Sequence, residues 1–105
     1  MDSLEKTIRL NSLYDLYKNL LTDKQRQYFE AYYFKDQSLS EVADMYGVSR
    51  NAIYSQLSEI EKSLEDFELK LNLKKKNEKK TKLLDELKKN ADDNSLVIIK
   101  KLEEI

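Results

Sequence analysis

Five side chains between Ser49 and Ser55 have the chemistry of a nucleic-acid reader. Arg50 carries a permanent cation and a planar donor fork that fits guanine or a phosphate. Asn51 has the paired donor and acceptor that match adenine. Ser49 and Tyr54 bring hydroxyls suited to phosphate oxygens, and Ser55 completes the same outer face. Residues of these types in the first two turns of a helix are what a helix-turn-helix presents to the major groove. The cation count is low, however. Residues 22–57 hold four basic and five acidic side chains. With few phosphate contacts, counterion release is small, so affinity is expected to be weak unless a second copy adds contacts.

Other chemistries are poorly supplied. The 105 residues include no Cys and no His. That removes disulfides, thiolate metal sites and the commonest general base and metal ligand. Asp, Glu, Lys and Tyr are present, but no Gly-rich or strand-edge setting gathers them. The expectation is a protein that is not an enzyme and takes no metal or cofactor. The N-terminal MDSLEKTIRL lacks the basic region and apolar run of a signal peptide. No window is apolar over the roughly 18 residues a membrane span needs. The expected location is the cytoplasm.

One Gly, no Pro and 37% charged residues leave long helices unopposed, so the expected fold is all-α. Leu10, Leu13, Tyr14, Tyr17, Leu20 and Leu21 recur at helical spacing and predict a first helix from Leu4 to Leu21. Thr22 is a candidate N-cap for a second helix running to about Lys35. On it, Tyr28, Phe29, Tyr32 and Tyr33 form either a core wedge or a stacking platform for bases. Asp36 and Gln37 make a short turn. Ser38 with Glu41 is a capping box, S-x-x-E, and opens a helix holding Leu39, Val42, Ala43 and Tyr46. Gly47 suits a left-handed helix end. Val48, Ile53 and Leu57 are the expected inner face of the helix that Ser49 caps. Ser38 to Leu57 thus reads as a helix-turn-helix, and Ala43 is small where the second helix crosses.

That second helix is long. Ile53, Leu57, Ile60, Leu64, Phe67 and Leu71 alternate at spacings of four and three, an a/d seam. Its later members, Ile60, Leu64, Phe67 and Leu71, need a covering helix. The N-terminal segment, the tail and a second subunit, as in a homodimer, are three ways to provide one.

The charge is unevenly placed. Residues 1–73 balance at −4 and residues 74–105 at +3. The division is read as a helix-turn-helix domain over 1–73 and a lysine-rich helical tail over 74–105. In the tail, Lys74, Lys75, Lys76, Lys79 and Lys80 form either a solvated helix face or a surface for RNA or an acidic partner. Leu83, Leu84 and Leu87 make a weak stripe, the stretch Asn90 to Asn94 signals a loop, and Asn94 is a candidate cap for a last short helix.

Two resemblances follow from these stretches. Residues 22–64, with Thr22-Asp-Lys-Gln-Arg-Gln-Tyr-Phe29 and Ser38 through Tyr54, resemble the fourth region of bacterial sigma factors. The whole chain is similar to the YlxM family of small helix-turn-helix proteins. The matching stretches are Lys6-Thr-Ile-Arg-Leu-Asn-Ser-Leu-Tyr-Asp-Leu-Tyr17, Leu21-Thr-Asp-Lys-Gln-Arg26, Ser38-Leu-Ser-Glu-Val-Ala43 and Gly47-Val-Ser-Arg-Asn-Ala-Ile-Tyr54. The chain departs from that family's pattern at Ser55 and Gln56. The resemblance implies a bacterial protein with a sigma-like helix-turn-helix. It also implies a link to the signal recognition particle, whose GTPase gene usually neighbours the family's own. Three functional readings result. One is a DNA-binding regulator acting through Ser49 to Ser55. Another is an accessory of the particle that contacts its RNA or GTPase. The last is a homodimeric scaffold.

Overall fold

The computed structural model describes residues 3–105. Its order is α1 (Leu4–Tyr17), a 3-10 turn (Lys18–Leu20), α2 (Asp23–Phe29), a π turn (Glu30–Phe34), α3 (Leu39–Tyr46), α4 (Arg50–Leu71), α5 (Leu73–Lys89) and α6 (Asp93–Glu103). There is no strand among the described residues, and the protein is all-α with a helix-turn-helix. Contacts divide it into two units, one ending at Leu71 and one from Asn72 to Ile105. Among the described residues, no helix is long and apolar enough to cross a membrane.

Local chemistry explains most helix ends in the first unit. Thr22 accepts from the Gln25 N–H at 3.2 Å while the Gln25 side chain accepts from the Thr22 N–H at 2.9 Å. Ser38 and Glu41 reproduce this reciprocal box at 3.1 and 3.0 Å. Each box satisfies backbone donors that have no partner inside the helix. Gly47 closes α3 with φ 66°, and the N–H of Val48 reaches back to the Ala43 carbonyl. That six-to-one bond is the Schellman closure, and its left-handed residue carries no Cβ to strain.

The core of this unit draws on all four helices. Leu10, Leu13, Phe29, Val42, Ile53 and Ile60 are each almost wholly buried. Tyr14 stacks on Phe29 with centroids 4.4 Å apart and planes 5° from parallel. Ala43 is buried where α3 packs on α4. The aromatic cluster of α2 is therefore core at Tyr28 and Phe29 and half-buried at Tyr32 and Tyr33.

Several sequence expectations are corrected. The first helix stops at Tyr17, not Leu21. Tightening to a 3-10 turn swings Leu20 outward, leaving it 55% exposed, while Leu21 is buried. The second helix is regular only to Phe29, not Lys35. Beyond it the N–H of Lys35 bonds to the carbonyl of Glu30 at 2.9 Å, a π-type wide turn that buries Ala31 and exposes Phe34. Val48 is 36% exposed instead of lying on the inner face, because the Schellman closure fixes its backbone at the rim of the turn.

In the second unit, α5 and α6 form a helical hairpin. α4 ends at Leu71, and Asn72 stands in the left-handed region at φ 58° before α5 begins. Of the stripe Leu83, Leu84 and Leu87, only Leu84 is buried, and on α6 only Ile99. The cap of α6 is Asp92, not Asn94. The Asp92 backbone is extended, and its carboxylate accepts from the Ser95 N–H at 2.8 Å.

Candidate nucleic-acid interface

The seam on α4 shows what holds the reading face in place. Ile60 and Leu64 are completely buried, and α1 runs alongside this stretch of α4, meeting it at Glu61, Glu65 and Glu68. Phe67 lies half-buried with its ring 5.9 Å from that of Tyr17, and Leu71 is exposed. Ile60 and Leu64 are thus filled by the N-terminal segment and present no side chain to a second subunit.

Polar ties reinforce the α1–α4 pairing. Arg9 grips Glu65 with two nitrogens, at 2.7 and 2.9 Å, and Lys6 meets Glu61 at 3.3 Å. The Tyr17 hydroxyl donates to the buried Glu68 carboxylate at 2.7 Å. Tyr14 donates to Glu30 at 2.6 Å, and Tyr33 donates to Glu61. In the acidic distal half of α4, Glu61, Glu65 and Asp66 are thus ion-paired, and Glu68 is hydrogen-bonded. Composition alone missed these tyrosine–carboxylate and arginine–carboxylate pairs. Arg9 and Glu65 are 56 residues apart, and no local pattern joins them.

Tyr17→Phe tests the buried tie. Loss of a hydrogen bond to a buried carboxylate should cost about 1.5–3 kcal/mol. The denaturant midpoint should fall at unchanged slope. Tyr54→Phe, at a position 61% exposed, should leave it where it is.

The pH dependence follows from the same contacts. The Arg9 hydrogen bond holds the Glu65 carboxyl below its usual range, and backbone N–H bonds, from Ser38 to Glu41 and from Ser95 to Asp92, do the same for those two. Groups so lowered stabilise the fold above the unfolded carboxylate value of about 4 and lose that contribution as pH falls through their folded values. Tyr14 is the opposite case. Burial first, then the bond to Glu30, pushes its phenol up. Its contribution is intact below the unfolded value of about 10 and is lost as pH rises beyond that. Thermal melts should show a plateau from about pH 5 to 9, with Tm falling on both sides.

On this frame, Ser49, Arg50, Asn51, Tyr54 and Ser55 are all exposed, while Ile53 and Leu57 on the opposite side of α4 are buried. The five residues thus share one accessible face at the start of the helix. The Ser49 oxygen accepts from the Ala52 N–H at 3.0 Å, which leaves its O–H able to donate to a phosphate. No carboxylate pairs with Arg50 among the described residues. A cleft of about 530 Å³ runs beside this face, with Arg50, Asn51 and Tyr54 on one side and Lys6 and Tyr32 on another. Lys6, from α1, was not anticipated at the site, and only tertiary packing sets it and Tyr32 of the π turn beside this face. The lysines Lys75, Lys76, Lys79 and Lys80 are exposed on α5, in the other unit, and Lys74 is half-buried and ion-paired with Glu78. No group of His, Cys, Asp or Glu among the described residues has the arrangement of a metal site.

A capped helix, a left-handed Gly turn and a second capped helix on a buried core define a helix-turn-helix protein. Over residues 4–105 the chain matches the family described as "Putative helix-turn-helix protein, YlxM / p13 like" (UPF0122), and it belongs to that family. A UPF0122 protein of Geobacillus sp. (strain WCH70) is 46% identical over 108 residues, spanning 97% of this chain and 98% of the relative. A UPF0122 protein of Mycoplasma capricolum is 45% identical, over 97% of this chain and 89% of its own length. One from Anoxybacillus flavithermus is 52% identical over 85 residues, or 81% and 77%.

Proposed function

We propose that this protein is a cytoplasmic DNA-binding regulator that sets the start of α4 in the major groove. Arg50 reads guanine or clamps a phosphate, Asn51 reads adenine, and Tyr54, Ser55 and the Ser49 hydroxyl hold the flanking backbone. The observation that carries this reading is the accessible face itself. Five polar side chains stand together in solvent at the start of a helix whose opposite side is locked in the core. The N-terminal end of α4 also carries the positive end of the helix dipole, which favours a phosphate. Ion pairs of Lys6 with Glu61, Arg9 with Glu65 and Lys70 with Asp66 lower the repulsion a phosphate backbone would meet there. The sigma-like arrangement of Ser38 to Tyr54 supports the same docking. One copy makes few phosphate contacts, so two copies reading one site is part of this proposal.

A second reading has its own observation. The exposed lysines of α5 suit an accessory role in protein targeting, with contact to the signal recognition particle's RNA or GTPase. Gel shifts against pooled genomic fragments, repeated across salt concentrations, decide between them. The DNA reading expects retarded fragments at low salt and an affinity that falls steeply as salt rises. Retardation of the particle RNA alone, with no genomic fragment bound, would overturn it.

A further inference from the structure

The α5–α6 hairpin contains only 34 residues, Asn72 to Ile105, and buries just two apolar side chains, Leu84 and Ile99. A unit below about 40 residues without disulfides or a metal usually needs association to stay folded. There is no Cys to supply a disulfide. The hairpin nevertheless leaves several large apolar side chains in solvent. Leu96, Val97, Ile98 and Ile99 fill a whole helical turn, so α6 is apolar on every side there. Ile98 is 60% exposed, and Leu83 and Leu87, one turn apart on α5, are each 54% exposed.

Charge indicates what covers this surface. Residues 74–82 carry six lysines against Glu78, a balance of +5, at the open end of the hairpin. Residues 85–93, around the turn, carry Lys88 and Lys89 against Asp85, Glu86, Asp92 and Asp93, a balance of −2. Two hairpins side by side in parallel would set +5 against +5. An antiparallel pair sets each open end against the other's acidic turn. Two helical hairpins joined on their apolar sides form a four-helix bundle, and a two-fold axis makes both halves of the contact identical.

We propose that the α5–α6 hairpin is the self-association surface of this protein. It pairs antiparallel with the hairpin of a second copy and buries Leu83, Leu87, Ile98 and Leu102. The contact supplies the second copy that the DNA reading calls for, yet it rests on the hairpin alone and holds whether or not DNA binds.

Sedimentation of the full chain at micromolar concentration, without nucleic acid, tests it. The expected species is a dimer. Ile98→Glu and, separately, Leu87→Glu should each weaken it about tenfold or more, because each places a charge in an apolar contact. Circular dichroism should show the helices of the first unit retained, which separates loss of the dimer from global unfolding, while the hairpin's share of the helix signal falls with the dimer. A monomer, or a dimer indifferent to both variants, would overturn the proposal. Because the chain has no cysteine of its own, Lys76→Cys and Lys89→Cys accept single spin labels. These sites lie about 20 Å apart along one helix. In mixed dimers, the antiparallel pair predicts a shorter distance between label 76 and label 89 than between two labels at 76. The reverse order would refute the antiparallel sense. The DNA reading is tested separately, by fragments bound to the face at Ser49 to Ser55.

Discussion

Leu64→Ala is expected to destabilise the protein by about 2–5 kcal/mol. Leu64 is fully buried, where α1 packs on α4. Truncation removes the transfer free energy of its side chain and leaves a hole that a close-packed interior fills only in part. Its neighbours are large and constrained: Phe67 leans on the Tyr17 ring, and Tyr17 is held by Glu68. They cannot slide far into the space. Chemical denaturation should show the loss as a lower midpoint. Leu71→Ala, at an exposed position of the same heptad pattern, should cost well under 1 kcal/mol. Equal losses at the two positions would mean that α1 does not cover the seam as described.

Arg50→Ala has the largest expected effect on binding. A bidentate contact to guanine discriminates by about 1–3 kcal/mol, so affinity for a selected DNA site should fall about tenfold or more. The measurement also reports the kind of contact. If Arg50 holds a phosphate, the slope of log affinity against log salt falls by about one and all sequences weaken alike. If it reads a base, preference at one position relaxes while the slope is kept. Stability should be unaffected, because Arg50 is exposed and no carboxylate pairs with it among the described residues. Replacing Lys74, Lys75, Lys76, Lys79 and Lys80 with Gln should disturb DNA affinity less than Arg50→Ala does, because those lysines belong to the other unit and not to α4.

What was legible in the sequence was local. Thr22 with Gln25 and Ser38 with Glu41 sit three residues apart and satisfy each other's backbone. Gly47 marks a left-handed end that few other residues tolerate. These short-range rules placed the helix-turn-helix and its exposed face. The π turn at Glu30–Phe34 was hidden because a wide turn preserves helical composition and changes only which side each aromatic faces. The exposure of Val48 was hidden because an apolar residue after a Gly turn reads as core until the closing bond fixes its direction. The ties from Arg9 to Glu65 and from Tyr17 to Glu68 span more than fifty residues. They follow from tertiary packing, which periodicity does not encode. The covering of Ile60 and Leu64 is the same kind of fact. The spacing called for a partner helix, and only the structure identifies it as α1.

These hidden features change the weight of the reading face. Composition alone sets a lone Arg50 beside an acidic helix. The folded protein pairs most of those carboxylates and brings Lys6 to the cleft beside Arg50. Photo-crosslinking in living cells is the direct test of whether that face meets DNA. A photoreactive phenylalanine analogue in place of Tyr54 keeps the ring and reports what lies against it, and the same group at Lys79 reports on the tail. DNA adducts are expected from position 54 and none from position 79. RNA or protein adducts from position 79, with no DNA adduct from position 54, would contradict this.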